Sequence, residues 1–342
     1  MIKVNPYSDW ALPLYPYLAR SYAGFLTWGK CLNFPRAIQI QTQSRCNAQC
    51  SICPYPVTSK TLQHGVMEYS LFEKIINELA AERQAPLFMF ALHNEPLMDN
   101  RIFEWIKQAK KINPKLYCIL PTNGAWLDRF SLQEIKQSAL DQINLSLHAG
   151  SEEVYRQINP ILDFNKITQN VFHLLSDASL RQTIQMMFLL NSLNAHEIKE
   201  ATQFWKRKGV RTKVIQISNR AGSLDTYKEL VLKETLYRRP LHLRLWKNLM
   251  STIRGATGCE LPFYQMNILF NGDVIVCSYD WKRTTVIGNI KTDSLRSIWN
   301  CERINAVRRN LIAKRYERIS ACSGCSIVNR DVGLTKQDTG SP

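Results

Sequence analysis

The sequence lacks any long apolar run. Its 342 residues contain no stretch of the ~18 uncharged apolar residues that a bilayer-spanning helix requires. The first residues also lack the basic region, apolar segment and small-residue cleavage site of a secretory signal. With 45% hydrophobic residues the chain can bury a sizeable core. We therefore expect a globular cytoplasmic protein with one large domain and a smaller one.

Acidic residues are also scarce. The 28 aspartates and glutamates face 44 lysines and arginines, which gives a formal net charge of +16. Such an excess attracts anionic partners and also keeps a protein dissolved. Basic side chains cluster in residues 238–247 and 303–318, which are simplest to interpret as solvated helix faces. An acidic peptide, a phosphorylated metabolite or a nucleic acid are alternative partners. Nucleic acid is the least favoured, because no DNA- or RNA-binding motif is recognisable.

Ten cysteines occur in a chain without export signals, so reduced metal ligands explain them better than disulfides. Cys46, Cys50 and Cys53 form a CxxxCxxC run with no fourth cysteine nearby. A cubic iron–sulfur cluster has four irons, so three protein ligands leave one iron open to a substrate or cofactor. The alternatives are three buried cysteines that act as small apolar residues, or a zinc site with a fourth ligand from elsewhere.

Short apolar runs alternate with amphipathic stretches from residue 36 to about 217, which is typical of βα units around a parallel sheet. Six such units predict an α/β fold of the partial (βα)6 barrel kind. Ligands bind beyond the carboxyl ends of such strands, so polar residues there are candidates for the site. The predicted strands are Ala37–Thr42, Leu87–Leu92, Leu116–Leu120, Gln142–Leu147, Ile184–Leu190 and Lys213–Ile217.

The cysteine run, with the apolar Ile52 before its last cysteine, resembles the signature of the radical SAM superfamily. Polar residues beyond the predicted strands extend the resemblance along the chain. It implies that the three cysteines hold a [4Fe-4S] cluster whose fourth iron binds S-adenosyl-L-methionine. It also implies that an electron from the cluster cleaves the sulfonium to a 5′-deoxyadenosyl radical, and that a reductant such as flavodoxin or ferredoxin is a partner.

The resemblance also implies residues that hold the cofactor, Ile52 among them. Glu95 stands where the family has a Gly-Gly-Glu or Gly-Glu-Pro motif, whose glutamate engages the ammonium group of the methionine moiety. Asn94 replaces the usual glycine there. Ser146 and Asn191 match positions that in relatives reach the ribose or the methionine carboxylate. Hydrogen bonding at a strand end is the alternative role for both.

A second group of cysteines follows, and four thiolates complete the protein shell of a [4Fe-4S] cluster. Residues 266–277 are predicted to form a hairpin, because the Asn271-Gly272 pair supplies the positive backbone angles of its turn. The hairpin would bring Cys259 and Cys277 together, and the later CxxC would complete the set of four cluster ligands. The four residues are Cys259, Cys277, Cys322 and Cys325.

This second group, with Gly288-Asn289-Ile290 and Ser294–Trp299 after it, resembles the auxiliary-cluster domain called SPASM. No cysteine follows Cys325, which corresponds to the shortened, single-cluster form called Twitch. A structural zinc held by four thiolates is the alternative.

Cys31, Cys118 and Cys301 belong to neither group, and most free cysteines are buried apolar residues. The Cys301 thiol could donate a hydrogen atom to a substrate radical, as thiols do in radical SAM epimerases. Four segments are expected along the chain. They are an aromatic cap at residues 1–35, the barrel at 36–220, a helical linker at 221–254 and the auxiliary-cluster domain at 255–342.

The combined prediction is a two-cluster radical oxidoreductase. Such an enzyme takes a hydrogen atom from an unactivated carbon, and its auxiliary cluster accepts the remaining electron or relays electrons from the reductant. The basic excess slightly favours oxidation or crosslinking of a peptide or protein. The alternative is dehydrogenation or epimerisation of an aminocyclitol or sugar in natural-product biosynthesis. The alternative of another class is a non-catalytic iron–sulfur electron-transfer or scaffold protein.

Overall fold

The computed structural model describes residues 33–82, 86–232 and 259–329. Cys31, most of the expected cap at residues 1–35 and most of the expected linker at 221–254 lie outside the described residues. None of the described helices combines the length and the apolar character that crossing a bilayer requires.

Nine strands among the described residues pair in one mixed sheet. Their bounds are β1 Ala37–Ile40, β2 Leu87–Met89, β3 Tyr117–Thr122, β4 Gln142–Ser146, β5 Ile184–Leu190, β6 Arg211–Gln216, β7 Gln265–Ile268, β8 Asp273–Ile275 and β9 Val286–Asn289. The order across the sheet is β6-β5-β4-β3-β2-β1-β7-β8-β9. Strands β1 to β6 are parallel, and each pairs with the next in sequence. The predicted α/β fold is thus confirmed, and the sheet stays open because β6 and β9 stand at its two ends.

Amphipathic helices follow the strands and supply much of the core. In the long helix Tyr69–Ala80 (α2), apolar residues three and four positions apart are buried, as they are in the next long helix, Ile102–Ile112 (α3). Phe72 of α2 stacks on Trp105 of α3 with ring centroids 4.2 Å apart. The helices are α1 Tyr55–Thr58, α2 Tyr69–Ala80, α3 Ile102–Ile112, α4 Leu132–Gln137, α5 Glu152–Ile158, α6 Phe164–Leu175, α7 Ala178–Arg181, α8 Ile198–Arg207, α9 Tyr227–Leu230, α10 Leu261–Tyr264, α11 Leu295–Asn300, α12 Glu302–Ile312 and α13 Ser320–Ser323.

Strand β2 ends at Met89, three residues before the predicted end. The amide N–H of Leu92 donates to Asn94 Oδ1 at 2.8 Å, so it is not available to a neighbouring strand. The backbone then turns at His93, whose φ is 57°. The left-handed residue is therefore His93, and Asn94, the residue that replaces a glycine of the family motif, acts through its side chain. The loop that carries Glu95 begins inside the predicted strand.

The predicted hairpin is present, with β7 and β8 antiparallel and Gly272 in its turn at φ 89°. Strand β7 also pairs in parallel with β1, in the register Ala37 to Gln265. The hairpin therefore extends the sheet of the barrel, which local sequence patterns do not show because the paired strands are far apart in sequence. All four residues of β7 are buried between neighbours. This continuity fixes the second cysteine group relative to the first.

Candidate active site

The first cysteine group lies on the loop that follows β1, at the carboxyl ends of the parallel strands. The side-chain amide of Gln43 donates to the carbonyls of Arg45 and Glu95, at 2.9 and 2.6 Å. The amide of Cys46 donates to the hydroxyl of Tyr55 at 2.8 Å. At its other end the loop is tied to α5, because the Ser51 amide donates to a carbonyl of that helix. The cysteine loop is thus held by several elements.

The three cysteines lie half-buried on one short loop. Burial raises the pKa of Cys46, Cys50 and Cys53 above the usual range of a thiol. Charge repulsion from the other two cysteines raises the pKa of Cys50 further, and Glu95 acts on it in the same direction. Without a cation the three side chains stay protonated, so binding a metal centre would release protons.

The donor set fits a cluster with three protein ligands. Backbone N–H groups of Asn47 and Ala48 point at the Cys46 sulfur, and that of Tyr55 points at the Cys53 sulfur. N–H groups directed at sulfur stabilise the thiolate form and tune a bound cluster. Ile52 is buried in the core between these cysteines, and its packing holds the loop in place.

Glu95 lies beyond β2, fully enclosed and beside the first cysteine group. Its carboxylate accepts hydrogen bonds from the Thr122 hydroxyl at 2.6 Å, the Asn123 amide at 2.8 Å and the Leu97 amide at 3.1 Å. Asn123 also donates from its side chain to Asn47 of the cysteine loop, at 2.7 Å. Burial raises the pKa of Glu95 to about 7, although the three hydrogen bonds oppose this shift. A positively charged ligand would stabilise the carboxylate form.

The two other predicted cofactor residues are placed differently from each other. Ser146 ends β4 half-buried, and its hydroxyl makes no hydrogen bond within the described residues. Asn191 follows β5 fully buried, where its side chain accepts from the Leu193 amide at 2.9 Å and donates to the Leu189 carbonyl at 2.7 Å. Asn191 therefore stabilises a turn, whereas Ser146 keeps a hydroxyl available for a ligand.

The second cysteine group gathers four buried thiols from separate elements. Cys259 precedes α10, Cys277 follows β8, Cys322 lies in α13 and Cys325 follows that helix. Burial raises the pKa of Cys277, and the thiols of Cys259 and Cys322 raise it further. Burial and the thiols of Cys259 and Cys325 raise the pKa of Cys322 in the same way. These mutual effects show that the four sulfurs form one group.

The surroundings of this second group also suit a cluster. The Tyr279 amide points at the Cys277 sulfur, and the amides of Ile327, Val328 and Ala221 point at that of Cys325. A single metal ion would need its ligands gathered around one point, and no three His, Cys, Asp or Glu side chains of the described ranges converge so closely. A [4Fe-4S] cluster does not need its four cysteine sulfurs around one point, because each cysteine binds a different iron.

The remaining cysteines are placed apart from these groups. Cys118 is fully buried in β3, as expected of a core residue. Cys301 lies at the junction of α11 and α12, and its thiol contacts the carbonyl of Ile287 in β9 at 3.6 Å. The contact recorded for Cys301 is thus with the outer strand of the sheet, and none of the site residues is its partner.

The segment after β6 connects the two cysteine groups. The Asn219 side chain donates to the Gly324 carbonyl at 2.7 Å, within the CxxC, and Ser326 is bonded to Asn219 by two hydrogen bonds. The next residue, Arg220, lowers the pKa of Cys53 in the first group. Ala221 then directs its amide at Cys325 in the second group. Three consecutive residues thus link the two groups, because Asn219 and Ala221 contact the second group and Arg220 acts on the first.

Sequence reasoning missed three polar residues beyond strand ends. His93, His148 and Arg220 all follow strands and all have positive φ, at 57°, 63° and 50°. Such backbone angles are costly for these residue types and concentrate at functional sites. The signal that points to Arg220 is its place shortly beyond β6, because ligands bind beyond the carboxyl ends of such strands.

Two family models match the chain. The one described as the radical SAM superfamily matches residues 40–204, and the one described as an iron–sulfur cluster-binding domain, SPASM, matches residues 259–326. The first range contains the CxxxCxxC loop and Glu95, and the second contains all four cysteines of the second group.

Curated proteins and solved structures are similar to this chain over most of its length. The S-adenosyl-L-methionine-dependent 2-deoxy-scyllo-inosamine dehydrogenase of Niallia circulans is 20% identical over 292 residues, which cover 85% of this chain and 93% of that protein. The crystal structure of BtrN with AdoMet and 2-DOIA has a TM-score of 0.55 and 18% identity, over 85% of this chain and 93% of the other. Streptococcus suis SuiB bound to precursor peptide SuiA has a TM-score of 0.63 and 13% identity, over 84% and 70%.

Proposed function

Because this chain belongs to the radical SAM superfamily and carries an SPASM iron–sulfur cluster-binding domain, we propose that it oxidises a hydroxylated carbon of a small polar substrate. Its cofactors are S-adenosyl-L-methionine, the [4Fe-4S] cluster that binds it and an auxiliary cluster. Cys46, Cys50 and Cys53 would hold the first cluster. When bound, these groups supply a 5′-deoxyadenosyl radical that removes the carbon's hydrogen atom, and an acceptor for the second electron as the hydroxyl loses its proton and becomes a carbonyl.

One observation carries this proposal: direct contacts join the loop that carries Glu95 to the loop that carries Cys277. His93, beyond β2, stacks on Trp281, with ring centroids 4.0 Å apart. Its Nε2 donates to the carbonyl of Ser278, the residue after Cys277. The two rings therefore come from both matched domains, and the substrate is proposed to bind beside them.

The same two rings favour a hydroxylated substrate. His93 Nδ1 and Trp281 Nε1 are both buried and have no hydrogen-bond partner within the described residues. Burial lowers the pKa of His93 to about 3, so at neutral pH its Nδ1 is an acceptor while the indole N–H is a donor. A hydroxyl group can donate to the first and accept from the second. The likeness to the inosamine dehydrogenase, over most of both chains, supports this candidate.

Oxidation or crosslinking of a peptide is the second candidate. The charge of +16 favours it, because a basic surface attracts an acidic peptide. The two candidates share the same radical chemistry and differ in the molecule that supplies the hydrogen atom.

Glu95 is proposed to bind the ammonium group of S-adenosylmethionine. Replacing it with glutamine removes a charge-assisted hydrogen bond of about 1.5–3 kcal/mol, so we expect the dissociation constant to rise roughly 10- to 100-fold.

The pKa of Glu95, about 7, gives the sign of the pH effect on this affinity. Below that pKa the carboxyl is protonated and neutral, so wild-type affinity should be weaker at about pH 6 than at about pH 7.5. Calorimetry at both pH values checks this, and E95Q should bind equally at both. Equal wild-type affinities would exclude this role.

Isotope transfer tests the proposed function. Anaerobic, dithionite-reduced protein is incubated with S-adenosylmethionine and polyols, sugars or aminocyclitols deuterated at the carbinol carbon, beside a peptide with deuterated side chains. We expect deuterium in 5′-deoxyadenosine, together with a carbonyl product, from a compound of the first kind. Transfer from the peptide alone would replace the first candidate with the second. Protein that never forms 5′-deoxyadenosine would support the non-catalytic electron-transfer or scaffold alternative.

A further inference from the structure

The guanidinium group of Arg220 has no role in the function proposed so far. Its Nε is buried without a hydrogen-bond partner, and no carboxylate of the described ranges pairs with it. The guanidinium faces the Tyr279 ring, with Cζ 5.0 Å from the centroid. Arg220 as a whole is half-buried, but a buried N–H without a hydrogen-bond partner is costly in free energy. Such a group is typical of a site that a ligand completes.

Arg220 lies beside the loop that carries Trp281, because its guanidinium faces the ring of Tyr279 on that loop. It follows β6 at one end of the sheet, whereas His93 follows β2, several strands away. The positive charge of Arg220 nevertheless lowers the pKa of His93, and also that of His148 beyond β4. Ser278, Tyr279 and Trp281 lie on one loop, and the first and last of them contact His93. The guanidinium therefore lies against the loop that also holds the stacked His93 and Trp281 rings.

The acidic groups nearby are already engaged. The Glu95 carboxylate accepts three hydrogen bonds from its own loop region. The Asp280 carboxylate accepts from Thr284 and from the Thr285 amide. Arg283 adds a second positive charge that acts on His93, but Asp273 and Asp280 act on Arg283 in turn. The charge of Arg220, which no carboxylate of the described ranges pairs with, attracts an anion and repels a cationic amine.

We propose that Arg220 binds an anionic group of the substrate, a phosphate or a carboxylate, beside the His93 and Trp281 rings. The planar guanidinium can donate two parallel hydrogen bonds to such a group, which would fix the orientation of the substrate between the two cysteine groups. This inference rests on the proposed function and narrows its substrate class to an anionic hydroxylated compound. A cationic aminocyclitol is disfavoured by the same charge.

Calorimetry on the anaerobic holoprotein with S-adenosylmethionine bound tests this site without turnover. The probes are inorganic phosphate, glucose 6-phosphate, gluconate and glucosamine. We expect at least one anionic probe to bind the wild type and glucosamine not to bind. In R220Q the affinity for that anion should fall about 10- to 100-fold, as for a lost charge-assisted bond, and R220K should restore part of it. R207Q, which removes an exposed arginine of α8, should leave binding unchanged.

The probes and controls separate the alternatives. Tighter binding of glucose 6-phosphate than of gluconate would show that Arg220 prefers a phosphate group. Tighter binding of gluconate would show that it prefers a carboxylate. Glucosamine binding as tightly as the anions, or equal anion affinity in R220Q, would overturn the proposal. So would loss of S-adenosylmethionine binding or of its substrate-free cleavage in R220Q, because the guanidinium would then serve the cofactor. A failed isotope-transfer experiment with intact anion binding would refute the proposed function and leave this site in place.

Discussion

Replacing Cys50 with alanine is expected to abolish the cleavage of S-adenosylmethionine. Cys50 lies between the other two cysteines of its loop, and the three thiols are the protein donors of the first group. Loss of an outer-sphere partner already costs a metal site about 10- to 100-fold, and loss of a direct ligand should exceed that range. We expect 5′-deoxyadenosine formation under dithionite to fall to the protein-free background, and iron to fall to about four atoms per chain.

The matched control is Cys118→Ala. Cys118 is a fully buried cysteine of β3 outside both groups, so its replacement removes a thiol without removing a proposed ligand. The control should keep its iron and its cleavage activity. Retention of cleavage in the Cys50 variant would show that the CxxxCxxC loop does not hold the reactive cluster.

Replacing Cys277 with alanine should separate cleavage from product formation. Cys277 belongs to the second group, where its sulfur is coupled to those of Cys259 and Cys322. The first cysteine loop and Glu95 belong to other elements, so cleavage of S-adenosylmethionine should persist. Oxidised product should fall to background, because the second electron has no acceptor. Comparing 5′-deoxyadenosine with carbonyl product in the same reaction measures this uncoupling.

The Cys277 variant also tests whether the second group is only structural. Iron should drop to about four atoms per chain, as in the Cys50 variant. Unlike the Cys50 variant, however, the Cys277 variant should still cleave S-adenosylmethionine. Full-rate product formation would mean that the second cluster takes no part in the reaction. Because Cys277 lies two residues after the end of β8, circular dichroism should confirm that the sheet is intact.

The sequence predicted the parts of the site that depend on local patterns. Cysteine spacing identified both groups, and the alternation of apolar runs identified the six parallel strands. The Asn271-Gly272 pair identified the hairpin. Each of these features is encoded within a few neighbouring residues, so no knowledge of distant contacts was needed.

Features that depend on distant contacts could not be predicted in this way. The pairing of β7 with β1 joins residues 37 and 265, and nothing in either segment specifies the other. The stacking of His93 on Trp281 likewise joins two loops from different domains. Arg220 carries no motif, and its significance comes from the absence of a partner within the described residues. Substrate recognition therefore depends on contacts that only the folded structure displays.

The central claim is that a three-cysteine cluster and a four-cysteine cluster operate in one chain. It is tested most directly by counting iron and acid-labile sulfide in anaerobically purified protein, with S-adenosylmethionine cleavage assayed on the same sample. The account predicts about eight irons and about eight sulfides per chain, and 5′-deoxyadenosine formed only when dithionite is present. Zinc in place of iron at residues 46–53, or iron-loaded protein that leaves S-adenosylmethionine intact, would contradict it.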